Sequence, residues 1–213
     1  MSSRDEGLKG ISSMGYRAYV GGDGPFWDLI GQKQLDYLVQ AGLQPGHVLL
    51  DFACGSLRAG RLLIDYLDEG NYLGLDKEIG LIILGVAEEL GTEKYLRRRP
   101  EFVVSDRFEF ERFSKQPDYI IAQSLYTHLT LADIERSLKS LRAWISGDVR
   151  FFATFFEAEN AHANPATSHS HAHFRHSQAD LAAVADRTGW VMTYHGDWNH
   201  PRNQMMVEFR PAR

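Results

Sequence analysis

The sequence predicts a doubly wound α/β fold: a mostly parallel sheet with helices on both faces and an antiparallel last strand. Three observations predict it. Short apolar runs alternate along the chain with segments of helical spacing. Turn residues punctuate them: Gln44-Pro45-Gly46, Gly70-Asn71, Gly91 and Gly147-Asp148 each stand at a boundary. The last two apolar runs have no helical segment between them. Roughly ten residues are too few for a helical crossover, so these two strands pair antiparallel.

The elements follow in order. Residues 26–41 form an amphipathic helix ahead of the first strand, 47–53 (HVLLDFA). Residues 57–67 read as a helix, with Leu62, Leu63, Tyr66 and Leu67 at helical spacing. Residues 72–75 are a second strand ending at Asp76, and 79–90 a second core helix closed by Gly91. Residues 102–105 and 118–122 are the third and fourth strands, 131–144 a helix, and 149–156 a long apolar strand. Residues 177–188 are a helix with Gly189 behind it, followed by strands at 190–194 and 204–210. This gives seven strands.

Size and composition bound the rest. The chain has 213 residues, 44% of them hydrophobic, enough for one full-sized core. We expect a single domain over 1–213, with an N-terminal lid or helical segment at 1–41 and the catalytic core at 42–213. Lys plus Arg number 23 and Asp plus Glu 28, a net charge of −5. That balance disfavours a nucleic-acid partner, which needs phosphate neutralisation. The run Arg97-Arg98-Arg99 reads as a solvated helix end before Pro100. The only cysteine, Cys54, makes neither an intramolecular disulfide nor a Cys-rich zinc site, and it is expected to pack beside the first strand. Residues 1–10 mix charges and lack the apolar centre of a secretory signal. No apolar run is long enough to span a membrane. The expectation is a cytoplasmic protein with no membrane or nucleic-acid partner, monomeric or homodimeric.

Ligands of doubly wound sheets bind at the carboxyl ends of the strands. Three segments there carry chemistry. In Asp51-Phe52-Ala53-Cys54-Gly55-Ser56-Leu57-Arg58-Ala59-Gly60 a strand runs through a small-residue turn into a helix, so a ligand can approach the backbone. The middle glycine of G-x-G-x-x-G is missing, which disfavours a pyrophosphate cradle, and no Lys-Ser/Thr completes a P-loop. Asp76 ends the second strand, where a carboxylate can accept from a ribose diol. Asp106 and Phe108 follow the third strand, where an acid and a ring suit an adenine amine and face. Each acid alone also reads as a helix cap or a solvated turn. Three after consecutive strands point to an adenosyl ligand.

On these residues the chain resembles a class I S-adenosylmethionine-dependent methyltransferase. The resemblance runs from about Gly21 to the C-terminus. It rests on VLLDFACGSLRAG, YLGLD, VVSDRF and DYIIAQSLYTHL, the first a Cys-Gly-Ser-Leu-Arg variant of the glycine-rich motif in which Ala53 and Leu57 replace glycines. The resemblance implies a Rossmann-like, seven-stranded fold and S-adenosyl-L-methionine as cofactor, with S-adenosyl-L-homocysteine as product. It implies a small-molecule acceptor methylated at oxygen or nitrogen by in-line displacement, a specialised metabolite or sugar being one expectation. It implies a cofactor set of Asp51, Ala53, Gly55, Leu57, Asp76, Lys77, Asp106, Arg107, Phe108, Gln123 and Ser124. Within it Asp51 lies near the methionine amino group, Asp76 at the ribose, Asp106 at the adenine amine, and Gln123 or Ser124 beneath the methionine part. The segment 19–27, with Tyr19 and Trp27, reads either as a lid over the cofactor touching substrate or as a loop into the first helix.

Tyr126-Thr127-His128 follows the fourth strand, where the resemblance points the methyl group. His128 and Tyr126 are the candidate catalytic residues, His128 as the base because imidazole titrates near neutral pH. His128 also reads as a helix cap or packing residue. Five of the nine histidines lie in 162–176: His162, His169, His171, His173 and His176. Alternation at 169, 171 and 173 allows metal binding, but no H-E-x-x-H occurs and acids are sparse. A loop near the acceptor with His173 toward substrate is the expectation, and no metal. Trp198, His200 and Arg202, between the last strands, line an acceptor pocket or build a turn fixed by Pro201. Two other readings are a nucleotide-binding oxidoreductase and a non-catalytic adenosyl-binding protein.

Overall fold

A computed structural model describes residues 3–22, 24–159 and 162–213. The chain divides into two compact units, Met1–Asp106 and Arg107–Arg213.

The first unit opens with three helices, α1 (Ser3–Met14), α2 (Tyr16–Tyr19) and α3 (Phe26–Gln40). Then come β1 (Leu49–Phe52), α4 (Gly60–Tyr66), β2 (Tyr72–Asp76), α5 (Ile79–Leu84), α6 (Thr92–Arg98) and β3 (Glu101–Val104). A π-helical turn, Gly85–Leu90, extends α5. The strands run parallel in the order β3-β2-β1, with Leu49 opposite Tyr72 and Leu73 opposite Glu101. Every residue of β1 and β2 is buried, as parallel strands covered on both faces require. Leu50, Leu73, Leu63 and Leu38 are fully buried in this core, each contributing about 2 kcal/mol by leaving water.

The second unit begins with a short 3-10 turn, Phe110–Arg112, followed by β4 (Tyr119–Ala122), α7 (Leu131–Trp144) and β5 (Arg150–Glu157). It continues with β6 (Arg175–His176), α8 (Gln178–Arg187), β7 (Trp190–Asp197) and β8 (Met205–Pro211). Its strand order is β4-β5-β8-β7, with the short β6 beside the end of β5. β4 and β5 are parallel, and β8 runs antiparallel to both β5 and β7. β8 is thus the antiparallel strand expected from the sequence. Two helices start on side-chain caps. The Thr130 hydroxyl accepts from the Asp133 N–H at 3.2 Å, and the Ser177 hydroxyl from the Asp180 N–H at 3.1 Å. Each cap contributes about 1 kcal/mol.

Four details differ from the sequence expectation. The two-residue β6 adds an eighth strand to the seven expected. Two short helices, α1 and α2, precede α3. The helix expected from residue 57 starts at Gly60, because Leu57 is held left-handed at φ 64° and cannot join an α-helix. The expected 79–90 helix is α-helical only to Leu84 and then widens into the π turn, closed by the Gly91 N–H on the Val86 carbonyl at 2.8 Å.

Candidate active site

The turn from β1 to α4 is the most constrained backbone in the first unit. Ala53, Gly55 and Leu57 all have positive φ, at 70°, 54° and 64°. Ala53 and Leu57 stand where the sequence motif replaces glycine, yet the backbone keeps the glycine conformation. Each such residue costs about 1–2 kcal/mol, so the surroundings must impose it. The Ala53 and Cys54 N–H groups both donate to the Leu75 carbonyl, at 2.8 and 3.0 Å. The Gly55 N–H donates to Asp76 Oδ2 at 2.9 Å. Leu57 is fully buried, and a Cβ on Gly85 would lie 2.8 Å from its Cγ. A Cβ on Gly31 would lie 2.6 Å from the Arg58 carbonyl oxygen, so α3 presses directly on the turn.

Two buried acids flank the turn. Asp76 accepts from Gly55 through one oxygen and from the Glu78 N–H through the other, at 2.8 Å. Burial raises its pKa, opposed by those backbone N–H groups. The Lys77 N–H adds to them, and a carboxylate with about four acceptor sites still has room for a hydroxyl donor. Asp51 takes the Tyr72 hydroxyl at 2.8 Å. Burial pushes Asp51 up to about 7, with Asp76 adding to the rise and Tyr72 and Arg58 opposing it. Cys54 is buried, with its thiol pushed up by burial, and it packs against Gly74, whose Cβ would lie 3.2 Å from Sγ. Lys77 and Asp106 are exposed at the strand ends.

The segment 16–22 lies against this turn. A Cβ on Gly55 would sit 3.4 Å from Val20 Cγ1. The Tyr19 phenol is held above its ordinary pKa by burial and by the Glu78 and Asp76 carboxylates. Asp23, inside the expected lid, lies outside the described residues. Trp27 is almost fully buried, and its indole N–H donates to Glu89 Oε2 at 3.3 Å. The same carboxylate takes Tyr16 Oη at 2.8 Å and Arg17 Nε at 2.6 Å. Sequence reading missed Glu89, because Glu88-Glu89 before Gly91 looks like a solvated helix end.

The second unit carries its own polar cluster. Gln123, Ser124, Thr154, Gln204 and His200 form one network just past β4, within β5 and just before β8. The Gln123 amide nitrogen lies 2.9 Å from Gln204 Oε1 and 3.2 Å from His200 Nε2. The Thr154 hydroxyl donates to Gln204 Oε1 at 2.7 Å and accepts from the Ser124 N–H at 2.7 Å. Gln123, Thr154, His200 and Gln204 are buried, and Ser124 is strained at φ 59°. Trp198 stacks on His200 at 5.1 Å, and the Arg202 N–H donates to His200 Nδ1 at 3.2 Å, with Arg202 itself exposed. Thr154 and Gln204 are the members that sequence reading missed. Phe108 is buried at φ 62°, stacked near Phe110 at 6.5 Å, and Arg107 is exposed.

Tyr126 is fully buried edge-on to Phe151 and Phe209, with Ser137 beside its hydroxyl. Burial drives its pKa far above the ordinary tyrosine value. His128 is half-buried and its Nδ1 donates to the Ala172 carbonyl at 2.7 Å. A carbonyl only accepts, so Nδ1 carries a proton. The His169 N–H returns to the His128 carbonyl at 3.1 Å, and the His173 ring lies 6.1 Å from His128 and 5.6 Å from Phe156. The structure thus brings His128 and His173 together. Among the described residues no group of three His, Cys, Asp or Glu side chains is placed to hold a metal.

No protein-family model matches the sequence. Solved structures do resemble the chain. One is the magnesium protoporphyrin IX methyltransferase of Synechocystis PCC 6803 with bound SAM (S-adenosylmethionine), at TM-score 0.67 and 16% identity, covering 100% of this chain and 98% of that one. Another is the 1,6-didemethyltoxoflavin-N1-methyltransferase of Burkholderia thailandensis with its substrate and S-adenosylhomocysteine bound, at TM-score 0.66 and 16% identity, covering 100% and 92%. A third is DhpI in complex with SAH (S-adenosylhomocysteine), at TM-score 0.64 and 20% identity, covering 99% of both chains. From end to end, the chain has the fold that these methyltransferases share.

Proposed function

We propose that the protein is an S-adenosylmethionine-dependent methyltransferase acting on an oxygen or nitrogen of a small molecule. The observation that carries this reading is the β1–α4 turn. It spends strain on two left-handed positions, Ala53 and Leu57, and fastens Gly55 to a buried acid at the end of β2. Such strain collects where a backbone must meet a ligand. The likeness to structures that hold SAM or S-adenosylhomocysteine supports the same reading.

The residues present fit the cofactor. The turn's small side chains leave its backbone approachable. Asp76 keeps lone pairs for a ribose, and Asp51 is a buried acid suited to an ammonium group. We assign the adenine end to Asp106, Arg107 and Phe108, and the methionine end to Asp51, Gln123 and Ser124, with Ala53, Leu57 and Lys77 completing the set. S-adenosylmethionine, when bound, supplies a sulfonium methyl group that an acceptor displaces in line. The chain's own part is to position, to exclude water and to take a proton. His128 does the last: Nε2 receives the acceptor's proton while Nδ1–H stays on the Ala172 carbonyl, which stabilises the imidazolium. Tyr126 serves by packing beneath this segment. His173, Trp198, His200 and Arg202 are assigned to the acceptor, a specialised metabolite or sugar, and Tyr19 and Trp27 to the closing segment. We assign the protein to the cytoplasm as a single catalytic domain, monomeric or homodimeric.

Calorimetric titration with S-adenosylmethionine, S-adenosylhomocysteine and NAD tests this. We expect micromolar binding of the two adenosyl compounds, weakened about a hundredfold, or about 2.7 kcal/mol, by Asp76→Ala. Binding of NAD alone would overturn the proposal in favour of an oxidoreductase.

A further inference from the structure

Glu89 is the acid that the site described above does not use. Its side chain is only 4% exposed. It sits in the π-helical turn and gathers four groups. Tyr16 Oη and Arg17 Nε both reach Oε1, at 2.8 and 2.6 Å, and Trp27 Nε1 reaches Oε2 at 3.3 Å. Arg61 Nε of α4 stands 3.8 Å from Oε2. The three N-terminal partners also hold one another. The Arg17 guanidinium lies 4.9 Å over the Trp27 ring, and the Tyr16 ring meets Trp27 edge-on at 6.1 Å. Tyr16, Arg17 and Trp27 bracket the segment that bears Tyr19, Val20 and Gly22. Val20 rests on Gly55, and a Cβ on Gly22 would fall 2.6 Å from Trp27 and 3.2 Å from the Arg58 guanidinium. One carboxylate thereby fixes both ends of the strand of chain that covers the glycine turn.

We propose that Glu89 is a positioning residue that clamps residues 16–22 over the β1–α4 turn, through Tyr16, Arg17 and Trp27, and so sets how long the cofactor stays bound. The retention half rests on the cofactor reading above, and the clamp half does not. The chemistry favours a carboxylate. Its partners are an O–H, an indole N–H and two guanidinium groups, all donors, and only an acceptor with two oxygens serves them all. Because the carboxylate is buried, losing it leaves those donors without their acceptor. Glu89→Gln keeps the shape but turns one acceptor into an NH2 donor.

Two measurements test this. In the ligand-free protein, amide hydrogen exchange should rise at least tenfold across residues 16–22 in Glu89→Gln, with β1 and β2 unchanged. In stopped flow, S-adenosylhomocysteine should leave the variant about thirtyfold faster than the parent, with its association rate within threefold. A generally weakened fold would raise exchange in β1 and β2 as well. Tyr16→Phe and Arg17→Met, at less buried positions, should each give part of both effects, and neither should add fully to Glu89→Gln. They decide the matter in the same way if Glu89→Gln does not fold. Unchanged exchange at 16–22 overturns the clamp. Raised exchange with an unchanged dissociation rate overturns the retention role. A parent that binds no adenosyl compound removes the cofactor reading and the retention role together, while the exchange result still judges the clamp.

Discussion

Residues 53–59, after β1, and residues 158–174, after β5, both follow the carboxyl end of a parallel strand, yet they are held in different ways. The first connection is short and over-determined. It contains three left-handed residues, donates to Leu75 and Asp76, and is pressed by Gly31 and Gly85. The second is long, and its described part is tied down at a few points. The Phe174 N–H donates to the Thr127 carbonyl at 2.8 Å, the Ser168 hydroxyl to Asp133, and His128 to Ala172. His162, His169, His171 and His173 all stand exposed. In the proposed enzyme the tight turn meets a ligand of fixed shape, and the open loop meets whatever acceptor the protein serves. Strain is affordable where packing enforces it, and adaptability needs contacts that can be remade.

The comparison is tested most strongly through Asp51, beside the tight turn. Its pKa of about 7 lies above the unfolded value, so between the two the native state holds a proton that the unfolded chain has lost. The contribution of Asp51 to the stability of the ligand-free protein should therefore fall as pH rises from about 4 to about 7 and then level off, by at most about 4 kcal/mol. Asp76, also raised, acts in the same sense. His176 and Glu208, both held below their ordinary values, act in the opposite sense in parent and variant alike, so the difference carries the test. Denaturant unfolding across that range should show the parent losing stability relative to Asp51→Asn. A difference that stays constant over this range would mean that the turn does not hold a destabilised acid.

The open loop is next. His128→Ala should lower kcat about a hundredfold, or about 2.7 kcal/mol, and leave S-adenosylhomocysteine binding unchanged. Tyr126→Phe should keep activity within a few-fold, because it keeps the ring packing and removes only a hydroxyl buried away from solvent. The reverse ranking in steady-state kinetics would move the proton-transfer role to Tyr126. The smallest effect concerns strain. Ala53→Gly relieves a positive φ and should raise stability by up to about 1 kcal/mol, since the relief exceeds the added chain entropy. Thermal unfolding would detect it, and a loss of stability would show that Ala53 is not strained.

Much of the fold was legible because periodicity and punctuation agreed. The helix expected at 131–144 is Leu131–Trp144 residue for residue, bounded by its Thr130 cap. The antiparallel β7–β8 pair followed from connection length alone. The site was legible where it depends on one stretch of chain, as in the β1–α4 turn and Asp76. It was not legible where burial is decided at a distance. Thr154 and Gln204 look like ordinary strand residues until β5 and β8 bring them beside Ser124. Glu89 escaped because a π turn departs from the 3.6-residue period, so the face on which it falls cannot be read from helical spacing. Ala53 and Leu57 concealed a glycine-like backbone because packing, which sequence does not display, overrides their local preference.

The strand order of the second unit has a further consequence. β8 lies between β5 and β7, although it is the last of the three to be made. As the nascent chain leaves the ribosome, α7 can already cover β4 and β5, but β7 has no partner until β8 emerges. Until then two strand edges stand open and β5 shows its apolar residues at one side. The interval in which this protein most needs a chaperone therefore runs from the synthesis of β5 to that of β8, and a premature stop before β8 yields a chain prone to aggregate rather than a smaller folded one.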